Sequence, residues 1–350
     1  MKIQSKIRLK DVAELAGVAV NTASTILNRR PNSWASKETE ARVFKAANEL
    51  GYRPSKTARA LQSGRYFSIG LLIQDLTNPF FSTLADELEA AVEERGYGLI
   101  VENCRSSLVR ERQLFNDLGD LEVDGAVVWL SDNSAFESEL AVAFPGPLPL
   151  VALGCGSSSL PIAVDSVVSD FTDGLQQAVD ALFELGHREY VFLSALAEGQ
   201  ADGSRPALLT RMLGEKGVPA SSVTILRSSH SIASACDSVT AFLKSCGSAR
   251  PTALFAINDL SAMGAMRAAI ECGLSVPKDL SIVGVDDVPL ASYLPVTLSS
   301  IRQRYRMITR SAADLLIARI EGTIADPSTP KQVIFPTYYV ARESVGPAHH

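Results

Sequence analysis

The sequence predicts an N-terminal all-α helix-turn-helix domain with a short hinge helix, followed by an α/β body of two similar parallel-sheet subdomains. Three observations predict it. The stretch "KDVAELAGVAVNTASTILN" at 10–28 reads as a helix, a glycine turn and a second helix. From Ser68 onward, short β-branched runs alternate with amphipathic helical patterns. Charge also divides at the same place: residues 1–65 carry thirteen Lys/Arg against five Asp/Glu, a net +8, and the remainder carries twenty against thirty-four, a net −14.

Each element has a local reason. Leu9, Val12, Ala13, Leu15 and Ala16 recur at helical spacing, with Asp11 and Glu14 on the wet side and negative charge near the helix start. Gly17 stops this helix. Val18 and Val20 can plug the turn, and either Asn21 or the Ala19-Val20 pair opens "NTASTILN", whose Ala23, Ile26 and Leu27 face inward. Two helices this short cannot fold alone, so "SKETEARVFKAANELGY" must complete the core: Ser36 caps it, Val43, Ala46, Ala47 and Leu50 form the stripe, and Gly51 ends it. The polar face of Asn21, Thr22, Ser24, Thr25 and Asn28 suits base edges or phosphates, with Arg29, Arg30 and Lys37 supplying attraction. A small helical packing module with a polar surface is the competing reading.

"YRPSKTARALQSGR" follows, with Pro54 ending the third helix and only Ala58 and Leu61 as an apolar edge. A helix formed only when paired with its copy on DNA fits this stretch, Leu61 acting as a minor-groove wedge. A basic linker is the alternative.

At 350 residues, 46% hydrophobic and 21% charged, the chain is long enough for two or three domains. No apolar run approaches a membrane span, and "MKIQSKIRLKD" lacks a secretory leader's apolar centre, so a cytoplasmic protein is expected. Five cysteines, at 104, 155, 236, 246 and 272, have no metal-type spacing; buried reduced thiols are expected, and no metal or cofactor is.

In the body, "YFSIGLLIQD", "GLIVENC", "VDGAVVWLS" and "LPLVALG" form one strand set, and "REYVFLSA", "VTILRS", "TALFAIN" and "LSIVGVDD" a second beginning near Glu189. Ligands of open α/β sheets sit beyond the carboxyl ends of strands. The loops to inspect are therefore Gln74–Phe81, Ser131–Ser134, the region after Leu193, Asn258–Asp259 and Asp286–Asp287. Asp75, Asn78 and Ser131 offer hydrogen bonds, Phe80 and Phe81 an apolar ring face, and Arg205, Asn258 and Asp286 converge from the other lobe: a sugar-like combination. At least one of Phe80 and Phe81 can equally be ordinary core. Asp286 and Asp287 point to opposite sides, against a shared catalytic proton, so Asp287 reads as structural. His187, in a helix-to-strand turn, also reads as structural. No nucleophile elbow, phosphate loop or metal cluster is present, which argues against an enzyme.

The blocks "LKDVAELAGVAVNTASTILN", "ELGYRPSKTARALQSGR", "IGLLIQDLTNPFF", "ELGHREYVFL", "PTALFAINDLSAMGAMRAAIECGLSVPKDLSIVGVDD" and "LSSIRQ", in this order, resemble the lactose-repressor (LacI/GalR) family of bacterial transcription regulators. The resemblance runs to about position 342. It implies a periplasmic-binding-protein-like body, with Val20, Asn21 and Thr25 reading major-groove bases, Thr22, Ser24 and Asn28 holding phosphate or the helix end, and Leu61 as the wedge. It supports Asp75, Phe80, Arg205, Asn258 and Asp286 as effector contacts, with Gln303 on the crossing strands between lobes. Four departures stand out: Thr25 where the family usually has Arg, Ala19 where it often has Ser, Gly154-Cys155 where it commonly has Asp-Arg, and Leu208 where it usually keeps Gly.

The expected layout is a DNA-binding domain over 1–53, a hinge over 54–65, an effector-binding and dimerisation body over 66–342, and a tail over 343–350. Within the body, the first subdomain is expected over 66–165 plus 301–323 and the second over 166–298 plus 327–342. The expected function is a DNA-binding repressor, homodimeric on a palindromic operator, controlled by a sugar or sugar derivative. A solute-binding protein and a sugar-processing enzyme are the alternatives.

Overall fold

The computed structural model describes residues 7–27, 35–52, 64–129, 148–154, 164–195, 204–246, 250–324, 326 and 328–349. They divide into two compact units, Met1–Phe67 and Ser68–His350.

The first unit holds α1 (Leu9–Ala16), α2 (Val20–Leu27) and α3 (Lys37–Leu50). Its core is small side chains: Val12, Ala13, Ala16, Ala23, Ile26, Val43, Ala46 and Ala47. Small residues let short helices approach closely, and the caps supply what so little burial cannot. Asp11 accepts from the Arg8 amide at 2.8 Å, Ser36 accepts from the Thr39 amide at 3.2 Å, and Gly17 and Gly51 close their helices at φ 64° and 63°. Ala19 accepts from the Ala23 amide at 3.0 Å, so α2 opens at Ala19-Val20. Two expectations change. Leu15 is 51% exposed instead of buried, and Val20 is 43% exposed, so Val18 alone of the turn valines packs on the core.

The second unit contains two six-stranded sheets. In the first, β1 (Ser68–Ile73), β2 (Gly98–Asn103), β3 (Gly125–Trp129), β4 (Leu150–Leu153), β5 (Asp165–Asp170) and β11 (Gln332–Pro336) run parallel in the order β11-β5-β4-β3-β1-β2. The second has β6 (Tyr190–Ser194), β7 (Val223–Arg227), β8 (Ala253–Phe255), β9 (Ser281–Asp286), β10 (Ser299–Arg302) and β12 (Tyr338–Val340), ordered β12-β10-β9-β8-β6-β7. Only β12 is antiparallel to its neighbour. Crossover helices bury both faces of the central strands, which is why β1, β3, β4, β6, β8 and β9 read as largely apolar runs instead of alternating ones.

Strand pairing moves the expected subdomain boundaries. Residues 166–170 complete β5 of the first sheet, 301–302 belong to β10 of the second, and 332–336 pair with β5 in the first. The chain therefore crosses between lobes near Phe171, at Gln303–Arg304 and at Thr337. Asp165 anchors the start of β5: buried, it takes a bidentate Arg319 with both contacts at 2.8 Å and the Lys331 amide at 2.7 Å. Thr337 ties two crossings together through the Asp170 carbonyl, its amide at 2.9 Å and its hydroxyl at 3.0 Å.

Residues 343–349 are a docked segment and not a free tail. Ser344 is fully buried between the Ile282 carbonyl and the Ser299 amide, at 2.6 and 2.8 Å, and Gly346 accepts from His187 Nε2 at 2.9 Å. His187 thus has the structural role expected of it. Of the cysteines, Cys104 is buried, its thiol pushed up to about 12 by burial first and by Glu111 next, while Cys236, Cys246 and Cys272 are half-buried and free; Cys155 lies outside the described residues. No described helix is long and apolar enough to cross a membrane.

The helices Ile232–Ser245 and Asp259–Glu271 pack at backbone distance because Gly264 faces the first turn of the other helix. A Cβ there would stand 2.3 Å from the Ile232 carbonyl oxygen and 3.1 Å from the Cys236 nitrogen. Backbone cannot yield as a side-chain tip does. Gly264→Ala is expected to lower stability by about 1–3 kcal/mol, read as a lower urea midpoint at unchanged slope.

Candidate functional site

Helix α2 leaves Val20 and Asn21 exposed, with Thr22, Ser24 and Thr25 half-buried along the same helix and Lys37 exposed at the start of α3. The Thr25 hydroxyl donates to the Asn21 carbonyl at 2.9 Å, which occupies its proton and leaves its oxygen lone pairs and methyl group to meet a base or phosphate. Asn28, Arg29, Ala58 and Leu61 lie outside the described residues, as does Ser131 of the body.

In the second unit a cavity of about 230 Å³ lies between the lobes at the carboxyl ends of both sheets. It brings together Asn78, Phe80, Phe81, Arg205, Asn258, Asp286 and Gln303 from the expected set. Asp75 stands apart: its Oδ1 accepts from the Thr77 amide at 2.9 Å and hydroxyl at 2.8 Å, and it does not line the cavity.

The first lobe contributes an aromatic wall. Asn78 caps the helix Pro79–Glu93, its Oδ1 accepting from the Phe80 amide at 3.0 Å. That cap fixes Phe80 and Phe81 in the first turn, 3% and 8% exposed, so both belong to the core and to the cavity at once. Trp129, at the end of β3, meets both: the three rings stand edge to face, with centroids 5.1–5.4 Å apart. Gly154 lies under the indole. A Cβ there would come within 2.9 Å of the Trp129 ring, and φ is +79°, so the ring occupies the space a side chain at 154 would need.

The second lobe contributes polar groups. Arg205 begins the helix Arg205–Glu215, donates through Nη1 to the Ile257 carbonyl at 2.6 Å and lies 5.1 Å from the Phe171 ring centre. Asn258 caps the helix Asp259–Glu271 through the Ser261 amide at 2.8 Å and donates to the His230 carbonyl at 3.3 Å. Asp286 and Asp287 both sit at positive φ, 105° and 54°, a strained pair for side-chain-bearing residues. The strain is held from behind: Asp287 pairs with Arg302 and, at 2.6 Å, with Arg342, and its amide donates to Ser300 Oγ at 3.0 Å. Asp286 is thereby turned toward the cavity and Asp287 away from it.

Gln303 joins the lobes. Its Nε2 donates to Asp286 Oδ1 at 2.7 Å, and its Oε1 accepts from Ser169 on β5 at 2.7 Å. Burial pushes the Asp286 carboxyl up to about 7, with the Gln303 bond and the Arg205 charge pulling the other way. Burial lowers the Arg205 guanidinium, and Asp286 opposes that shift. His230 has an open surface in the cleft, yet the protein that rings it and then the Arg205 charge push its imidazole down to about 4.

Trp129, Ser169, Phe171, His230 and Ile257 line the cavity without having been singled out in the sequence. The rule that ligands sit beyond strand ends reaches Trp129, the last residue of "GAVVW", and reaches Ser169 once 165–170 is known as a strand.

The comparisons with known proteins match this geometry. Residues 8–55 match the model for bacterial regulatory proteins of the lacI family, and residues 179–345 match that of a periplasmic binding protein-like domain. The chain is 32% identical over 316 residues to the HTH-type transcriptional repressor PurR of Vibrio parahaemolyticus serotype O3:K6 (strain RIMD 2210633), covering 89% of this chain and 92% of that one. It superposes on the lac repressor dimer bound to operator and the anti-inducer ONPF with a TM-score of 0.82 at 24% identity, covering 98% and 100% of the two chains. The transcriptional regulator CelR in its cellobiose complex superposes with a TM-score of 0.68 at 25% identity, covering 97% and 99%. With a helix-turn-helix, a two-lobed cleft and a repressor relative matched over nearly its whole length, the chain belongs to the lacI family of bacterial regulatory proteins.

Proposed function

We propose that the chain is a sequence-specific transcriptional repressor whose operator affinity is set by a sugar or sugar derivative held between the two lobes of its body. One observation carries the effector half of this reading: the Ser169–Gln303–Asp286 chain of hydrogen bonds crosses from one sheet to the other along the cavity wall. A ligand that touches this chain contacts both lobes at once and favours one arrangement of them. It can shift the operator-binding equilibrium only by its difference in affinity for the two, typically about 1–3 kcal/mol. A stacked aromatic wall opposite hydrogen-bonding groups suits a hydroxylated ring, and the CelR relative carries cellobiose.

The DNA half rests on Val20, Asn21, Thr22, Ser24 and Thr25 of α2 as the reading face and on Lys37, with Arg29, as phosphate contacts. One helix of eight residues offers few base contacts, so two copies on a palindrome are needed, and the working unit is a homodimer. Selection of bound DNA from a random library by the full chain, alongside the gene's own upstream region, tests the reading. A palindromic consensus is expected, and sequence-independent retention overturns it. Asn21→Ala is expected to change preference by about 1–3 kcal/mol at one symmetric pair of base positions. Equal losses on operator and random DNA would remove Asn21 from the reading face.

A further inference from the structure

We propose that the effector cleft continues into a second, apolar subsite inside the second lobe, which takes an uncharged, ring-sized hydrophobic substituent carried by the effector. The proposal rests on the effector reading above and narrows it to a polar head joined to an aryl or branched-alkyl group.

A second cavity, of about 200 Å³, lies between the second sheet and the helices that cover it. Arg205, His230 and Ile257 line both cavities and so mark the passage from one to the other. Past them the walls are Leu175, Phe192, Leu209, Phe255 and Val285, each at most 4% exposed, with Phe192 and Phe255 edge to face at 5.4 Å.

Protein interiors hold few voids larger than a water molecule, and wall atoms facing an empty space forfeit their dispersion contacts. A chamber walled mainly by such side chains favours small apolar groups. Beyond the passage Ser194 is the one polar side chain in the lining, so a sugar ring placed there would leave most of its hydroxyls without side-chain partners. The passage is different. Among the described residues Arg205 spends only Nη1 on a protein acceptor, Asp286 only Oδ1 on a protein donor, and the His230 ring faces the cleft.

The Arg205 guanidinium is held by the Ile257 carbonyl and lies 5.1 Å from the Phe171 ring centre. A ligand spanning the passage therefore meets hydrogen-bonding groups first and an apolar chamber beyond. The aromatic wall of Phe80, Phe81 and Trp129 covers the face of its head.

The test uses the full chain, benzene as the apolar probe, and paired methyl and phenyl glycosides of common hexoses. Benzene is expected to raise the melting temperature by roughly 2–5 °C and to show magnetisation transfer to Phe192 and Phe255 ring protons. Ala256→Leu, which adds carbons to a cavity-lining position, is expected to remove the benzene shift. For any hexose that binds, the phenyl glycoside is expected to bind at least tenfold tighter than its methyl partner, and Ala256→Leu to collapse that ratio. Should Ala256→Leu fail to fold, the magnetisation transfer in the unaltered chain decides. No transfer to these rings, or an equal benzene shift in a folded Ala256→Leu, overturns the subsite. Methyl glycoside binding without benzene occupancy overturns the subsite and leaves the effector reading standing. Benzene occupancy with no glycoside bound overturns the sugar reading of the head, and the subsite stands.

Discussion

Removal of residues 1–67 is expected to abolish operator binding while the remaining body folds and binds its effector. The two halves of the chain have separate cores: eight small side chains in the helical unit, and in the body two sheets with buried side chains on both faces. Among the described residues, the buried clusters of the body contain no residue of the helical unit. The body also carries a net −14, against +8 for the arm, so its field repels a polyanion once the arm is gone. Non-specific affinity comes almost entirely from Lys/Arg contacts that release counterions, and specific affinity lies typically about 10³–10⁷ above it. Both terms leave with the arm. Fluorescence anisotropy at fixed salt is expected to fall below detection, and thermal shift with a bound glycoside to persist. A body that kept operator affinity within tenfold would place the DNA contacts elsewhere.

The helical unit was legible almost residue by residue because its signals are local. Ser36, Gly17 and Gly51 act on neighbours within one turn, and the structure shows them acting so. Leu15 was misread because helical spacing identifies an apolar stripe without its width, and a core of alanines is too narrow to cover it. In the body, strands buried on both faces declared themselves as β-branched runs. Strand β5 did not, since "DSVVSD" begins with an aspartate whose burial depends on Arg319, distant in the sequence. The first-lobe wall was hidden for a similar reason. Gly154 reads in the sequence as a lost polar group, whereas its role is to leave room for Trp129, on the neighbouring strand. Gln303 was placed on the crossing strands, but its two partners come from strands that the sequence does not align.

Asp286→Asn is expected to weaken effector binding by about 2–5 kcal/mol while leaving effector-free operator affinity within a few fold. Asparagine keeps an oxygen for Gln303 and removes the charge that faces Arg205 and the ligand. The same variant has a stability signature with a definite sign. In the folded chain the Asp286 carboxyl titrates at about 7, against 3.8 for an ordinary aspartate, because burial outweighs Gln303 and Arg205. Between those values the native state holds a proton that the unfolded chain has released, so stability falls as pH rises from about 4 through 7. His230 acts oppositely: its pKa, lowered from 6.5 to about 4, leaves the unfolded chain with the extra proton, so stability rises with pH across that interval. The two slopes oppose one another up to about pH 6.5, and above it the fall set by Asp286 continues. Asp286→Asn removes that fall and is expected to stabilise the body at pH 8 by up to about 4 kcal/mol. Asp259 keeps part of a falling limb, since burial and then the Asp286 charge raise its carboxyl as well, and the second of these is lost in the variant. His230→Gln should do the reverse, leaving an unopposed decline from pH 4 to 7. Urea midpoints at half-unit pH steps read both slopes. A variant whose stability at pH 8 matches the unaltered chain would mean that Asp286 does not carry the buried charge, and one whose effector affinity is unchanged that it does not touch the ligand. Because linkage is reciprocal, operator DNA must also change effector affinity by the factor that effector changes operator affinity, and Asp286→Asn must shrink both together.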